Sequence, residues 1–180
     1  MRTEIRLSGS GGQGLITAGI ILARAASLYD GKNAVQTQSY GPEARGGASK
    51  AEVIISDKRI NYPKVQSPDV FVALTQEALD KYIKGVKEGG LVLIDDMLVK
   101  SPPQGNFQVY SLPVLTRAAE SVGSIMTANI LTLALVNTLC PLVSEEALEK
   151  AVKEMFPPKA TELNMKALSV GRELAKSVKV

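Results

Sequence analysis

The sequence predicts an α/β fold: a three-layer arrangement around an open, mostly parallel sheet with an antiparallel hairpin and helices on both faces. Three observations carry that expectation. A short strand, Glu4 to Ser8, runs directly into the turn Gly9-Ser10-Gly11-Gly12-Gln13-Gly14, and a long, nearly uncharged helical segment follows. Val70 to Leu74 and Leu91 to Ile94 are continuous apolar runs, the pattern of strands covered on both faces. A helical stretch separates those two runs and makes a β–α–β unit.

The elements follow in order. Helix one is expected over Gln13 to Tyr29, with Leu15, Ala18, Leu22 and Ala25 on the stripe that packs on the sheet. Its other faces carry Ile16, Ile20 and Ile21, and Arg24 is its only charge, so cover on several sides is expected from its own fold or a partner. A second strand spans Asn33 to Gln38 and a third Ala48 to Ser56. Ser56-Asp57-Lys58-Arg59 reads as a hairpin turn returning through Ile60 and Tyr62 until Pro63. Thr75 can cap the helix that runs to about Lys84, and Gly89-Gly90 turns the chain into the strand ending at Asp95. Phe107 to Ser111 makes a further strand, and Pro113 suits the first turn of a helix to about Val122.

Ser121 to Ser144 holds no charged residue but includes Ser124, Thr127, Asn129, Thr132, Asn137 and Thr138, so Ser124 to Leu139 reads as a buried helix and not a membrane span. Ser144 caps a helix that ends before Pro157-Pro158, and a last amphipathic helix covers about Thr161 to Val178. No repeat and no linker marks a second unit, so residues 1–180 are expected to form a single domain.

Composition excludes several chemistries. There is no histidine, the usual general base and commonest metal ligand. The one cysteine, Cys140, allows neither a disulfide framework nor a cysteine-ligated iron–sulfur cluster within the chain. The 21 basic and 18 acidic residues are interspersed and aromatics are scarce, so nucleic acid is not an expected partner. Asp95 and Asp96 fall at a strand's carboxyl end, where turn or capping roles are expected before metal ligation, because hard cations require larger oxygen sets. No signal peptide opens the chain, and a cytoplasmic location is expected.

The first candidate site is the glycine turn. Gly9, Gly11 and Gly14 give G-x-G-x-x-G between a strand and a helix, the context in which the motif presents backbone N–H groups to an anion. The sheet expected around it is Rossmann-like. The same glycines also serve close helix–strand packing, and both readings stand. The acid that would hold an NAD ribose is missing, since the second strand runs out at Thr37-Gln38-Ser39-Tyr40 and Asp30 precedes it. The second candidate is Gln38-Ser39-Tyr40-Gly41-Pro42-Glu43-Ala44-Arg45-Gly46-Gly47, a loop whose Arg45 either meets an anionic ligand or neighbouring subunit or pairs locally with Glu43.

Ser8-Gly9-Ser10-Gly11-Gly12-Gln13-Gly14 followed by that second stretch resembles the gamma subunit of 2-oxoacid:ferredoxin oxidoreductases, across the chain from first strand to final helix. The resemblance implies oxidative decarboxylation of a 2-oxoacid, 2-oxoglutarate as first choice, to an acyl-coenzyme A with reduction of ferredoxin. It implies that this chain has no catalytic residue of its own. Thiamine diphosphate and the iron–sulfur clusters are then held by partner alpha, beta and ferredoxin-like subunits, and a homodimer is the alternative assembly for the isolated chain. The implied contacts to coenzyme A are Gly9, Gly11, Gly12, Gln13, Gly14, Tyr40, Gly41, Arg45 and Gly46. The competing functions are an independent nucleotide-binding oxidoreductase and a purely structural assembly subunit.

Overall fold

The computed structural model describes residues 1–40 and 47–178. Six strands form one sheet in the order β2-β3-β1-β4-β5-β6. They are β1 (Arg2–Ser10), β2 (Asn33–Tyr40), β3 (Ala48–Ser56), β4 (Val70–Ala73), β5 (Leu91–Asp95) and β6 (Gln108–Leu112). The strands β1, β4, β5 and β6 are parallel, and β3 runs antiparallel between β1 and β2. The Rossmann-like α/β expectation holds, with β4–α2–β5 as its β–α–β unit.

The antiparallel part lies elsewhere than expected. No strand returns through Ile60 and Tyr62. Both edges of β3 are already paired, to β1 from Arg2↔Ser56 to Ser10↔Ala48 and to β2 from Asn33↔Ser56 to Tyr40↔Ser49, so a further strand has no edge to join. Side chains of β1 tie down the 60–67 stretch instead. Arg2 donates to the carbonyls of Tyr62 and Lys64, and Glu4 accepts from the amides of Gln66 and Ser67.

The two helical layers are unequal. One face carries α2 (Gln76–Tyr82), whose Ala78 and Leu79 pack with Phe71, Val92, Ile94 and Val99. Thr75 caps it as expected, accepting from the amide of Ala78. The other face carries α1 (Leu15–Arg24), α3 (Val114–Arg117), α4 (Ala128–Leu139), α5 (Glu145–Met155) and α6 (Pro158–Val178). Both α1 and α3 end in a π-helical turn, Ala25–Tyr29 and Ala118–Val122. Ser144 caps α5 through the amide of Ala147, with Glu145 and Glu146 on the favourable side of the helix dipole.

The chain itself covers its least charged helix. Every residue of α4 from Ala128 to Asn137 is buried, with α6 packed along it. The approach is close: a Cβ built on Gly171 of α6 would lie 2.5 Å from the carbonyl oxygen of Leu131. The polar residues of α4 are satisfied locally. Asn137 bridges the amides of Leu142 and Val143 and the carbonyl of Val143, and Thr132 donates to Ala128. No helix among the described residues is long and apolar enough to cross a membrane.

Candidate functional site

The glycine turn sits where the chain direction across the sheet divides. From β1 the chain crosses through α1 to β2 on one side, whereas β4 lies on the other, and such switch points open a crevice beyond the strand ends. Ser8 fastens β1 to β4 there, donating from Oγ to the carbonyl of Val72 at 2.7 Å while its own carbonyl accepts from Leu74.

The four glycines of the turn divide by role. A Cβ on Gly9 would meet Gln13 Oε1 at 2.3 Å and Leu15 Cδ1 at 2.9 Å, so Gly9 makes room for the turn's own packing. Gly14 is the N-cap of α1 with φ +74°, and a Cβ there would lie 2.8 Å from Asn129 Nδ2. Gly11 and Gly12 are exposed, and nothing stands within 4 Å of where their Cβ would be. The packing reading of the motif is met at Gly9 and Gly14, while Gly11 and Gly12 leave bare backbone facing outward.

Gln13 braces the turn from within, because its Oε1 accepts from the amide of Ser10 at 2.9 Å and its own amide donates back to the Ser10 carbonyl. Among the described residues no side chain caps α1, so its first-turn N–H groups carry the partial positive charge of the helix end.

Clefts open on both sides of the turn. One, about 330 Å³, lies between Gly12–Gly14, the start of α4 and α6, with Phe156 and Leu163 as its apolar wall. The other, about 370 Å³, runs from Ser10, Gly12 and Gln13 to Met97, Leu98, Ile125 and Met126. Those four apolar side chains are unusually open for their type: Met97 is 48% exposed, Leu98 40%, Ile125 55% and Met126 75%.

Asp95 sets half of this rim. Its carboxylate is fully buried and accepts from the amides of Met97 and Leu98 at 3.0 Å and of Leu115 at 2.9 Å. That is the turn-and-cap role expected for it, since it shapes the loop after β5 and caps α3, whose own N-cap residue Pro113 makes no side-chain bond. Among the described residues no group of three or more His, Cys, Asp or Glu side chains could hold a metal.

Of the residues predicted for the site, Gly9, Gly11, Gly12, Gln13 and Gly14 form this turn. The backbone of Tyr40 pairs with Ser49, which brings the end of β2 to the same end of the sheet. Gly41, Arg45 and Gly46 lie outside the described residues. The residues that sequence reasoning missed are Met97, Leu98, Ile125, Met126 and Asn129. The signal for the first four was large apolar side chains at the carboxyl end of one strand and at the start of one helix. For Asn129 there was none. Among the described residues two groups have a displaced titration, both away from the turn: the Tyr29 phenol is raised by its hydrogen bond to Glu154, and Asp57 is lowered by its bond to the N-terminal amine.

Residues 4–174 match the family described as pyruvate ferredoxin/flavodoxin oxidoreductase. A 2-oxoglutarate synthase subunit, KorC, of Methanocaldococcus jannaschii is 52% identical over 180 residues, covering 99% of this chain and 96% of that protein. The crystal structure of a keto/oxoacid ferredoxin oxidoreductase gamma subunit from Geobacter sulfurreducens superposes with a TM-score of 0.92 at 50% identity, over 100% of this chain and 99% of that one. The 2-oxoglutarate:ferredoxin oxidoreductase of Magnetococcus marinus, determined with 2-oxoglutarate, coenzyme A and succinyl-CoA bound, shares the fold at a TM-score of 0.87 and 23% identity, covering 99% of this chain and 32% of that one. This chain belongs to the pyruvate ferredoxin/flavodoxin oxidoreductase family, as a gamma-type subunit of a 2-oxoacid oxidoreductase.

Proposed function

We propose that this chain forms the coenzyme A side of the active site in a 2-oxoglutarate:ferredoxin oxidoreductase, with the glycine turn toward the coenzyme and the apolar rim toward partner subunits. The observation that carries the proposal is the bare backbone at Gly11 and Gly12, exposed at an uncapped helix N-terminus. A Cβ-free, braced turn beside a helix end suits a phosphorylated ligand, because N–H donors are already oriented and no side chain blocks approach. Arg45, in the second glycine-rich stretch, is proposed to add a charge-assisted contact to a coenzyme phosphate. The choice of 2-oxoglutarate follows the Methanocaldococcus jannaschii relative.

The redox centres belong on other chains in this reading. Cys140 is the one cysteine and there is no histidine, so this chain's residues do not fit a cluster's thiolate set. Thiamine diphosphate, on partner alpha and beta subunits, supplies carbanion chemistry at the 2-oxo carbon, and a ferredoxin-like partner carries electrons away. What this chain contributes is binding and shape: donors held at the turn, walls of the two clefts, and exclusion of water where Met97, Leu98, Ile125 and Met126 seat.

The test is Gly12→Val in the assembled enzyme. A branched side chain there fills the approach to the turn without touching the core. The apparent constant for coenzyme A should rise about tenfold, the size of one lost charge-assisted contact, with the 2-oxoacid constant and subunit assembly unchanged. An unchanged coenzyme A constant would remove the turn from the coenzyme site.

A further inference from the structure

We propose that Asn129 is the positioning residue of the glycine turn, holding the start of α1 in the orientation that serves coenzyme A; this rests on the function proposed above. Asn129 lies in the first turn of α4, is 6% exposed and stands across from Gly14. Its Nδ2 donates to the Gly14 carbonyl at 3.1 Å, and its Oδ1 accepts from the amide of Ile130 at 2.9 Å. The carboxamide is thus fixed at both ends, one of them on the most deeply buried helix of the molecule.

Satisfying a buried carbonyl does not account for this bond. The Gly14 carbonyl already accepts the helical bond from Ala18 at 3.1 Å, so Asn129 adds a second donor to an oxygen that has one. What the second bond fixes is direction. The carbonyl of Gly14 belongs to the Gly14–Leu15 peptide, whose N–H is among the first donors of α1. Restraining that oxygen restrains the N–H on the other side of the same rigid peptide plane.

Asn129 and Gly14 are also matched in shape. The carboxamide nitrogen lies 2.8 Å from the point a Cβ of residue 14 would occupy, so any side chain there would push the carboxamide from its place, and the φ of +74° itself favours glycine. At the other end Gln13 holds Ser10. Between these braces stand only Gly11 and Gly12, the two glycines open to a ligand. The turn is therefore preorganised from α4, and α4 is in turn held by the close approach of Gly171.

The experiment is Asn129→Asp in the assembled enzyme. Aspartate keeps the acceptor for Ile130 and the volume, but turns a carboxylate oxygen toward the Gly14 carbonyl in place of a donor. The expected result is a roughly tenfold rise in the apparent coenzyme A constant, with kcat at saturating coenzyme A and the 2-oxoacid constant within about twofold. Amide exchange over residues 11–15 should accelerate while the rest of α1 keeps its protection. Where the aspartate variant does not assemble, Asn129→Ser, which retains a shorter donor, takes its place with a smaller rise expected.

Exchange of the unaltered enzyme with and without coenzyme A separates the two levels. If coenzyme A protects residues 11–15 but Asn129→Asp leaves its constant unchanged, the positioning role is wrong and the proposed site stands. If coenzyme A protects nothing there, the site itself is wrong. A variant that only lowers the melting temperature or the yield of complex, at a normal coenzyme A constant, makes Asn129 a fold residue and also overturns the inference.

Discussion

Two apolar regions of this subunit differ in what closes them. Between α4 and α6 the surface is sealed by the chain itself, down to the contact of Gly171 with the Leu131 carbonyl. Around the glycine turn, Met97, Leu98, Ile125 and Met126 remain open. The absence of charge on a helix does not by itself point to a partner, because a long amphipathic helix later in the chain can supply the cover. What the chain leaves uncovered is instead a cluster of large side chains from separate loops, with the Met97–Leu98 pair fixed by the buried carboxylate of Asp95, and the proposed partner face rests on that cluster.

If the seam is where the fold's stability lies, it should be costly to disturb. Leu131 is fully buried in α4, and Leu131→Ala is expected to destabilise the chain by about 2–5 kcal/mol through lost transfer energy and a cavity. In thermal unfolding of the chain that is a fall on the order of 10 °C. Gly171→Ala should cost about 1–3 kcal/mol, because the new methyl group meets backbone and one helix has to shift. Melting temperatures near that of the unaltered chain for both variants would show that the seam is looser than its distances imply.

Asp95 stands between the two regions, buried like the seam but shaping the rim. Asp95→Asn keeps the volume and turns an NH₂ group toward at least one of the three amides that the carboxylate now receives. We expect a loss of about 1–3 kcal/mol, read from the midpoint of urea unfolding. The loop at Met97 and Leu98 should exchange faster than the rest of the sheet end.

Much of the fold was legible in the sequence because its signals are local. The apolar runs gave β4 and β5, and β3 matches Ala48 to Ser56 residue for residue. Thr75 and Ser144 read as caps because an N-cap oxygen acts on an amide three residues away. The hairpin through Ile60 and Tyr62 failed for a nonlocal reason, since β1 had already taken the edge of β3 that a returning strand needs. Cover for α4 by its own chain was nonlocal too, because it depends on α6 about forty residues later. At the site, the glycine spacing was visible but the division of labour among the glycines was not. Which of them faces Asn129 and which faces solvent is decided by where α4 lands. Asn129 carried weight in the sequence only as one of several polar residues in an uncharged stretch.

The smallest effect on the chain's own stability is expected at Met126. Its side chain is 75% exposed and stands over both clefts, so removing it costs the isolated subunit almost nothing. Met126→Ser should leave the melting temperature within about 1 °C, the behaviour of a surface substitution away from any special contact. In the complex the same change should matter if the rim is the face that partner subunits cover. Burying a methionine contributes about 1.5–3 kcal/mol, so its loss should weaken subunit association roughly ten- to a hundredfold. The measurement is titration of the variant chain into the remaining subunits, followed by recovered 2-oxoacid-dependent ferredoxin reduction. The seam variants supply the opposite pattern: lower melting temperature, and normal association of whatever remains folded. A Met126→Ser chain that associates normally would place the rim in solvent, and its exposed apolar residues would then have to be explained by the ligand alone.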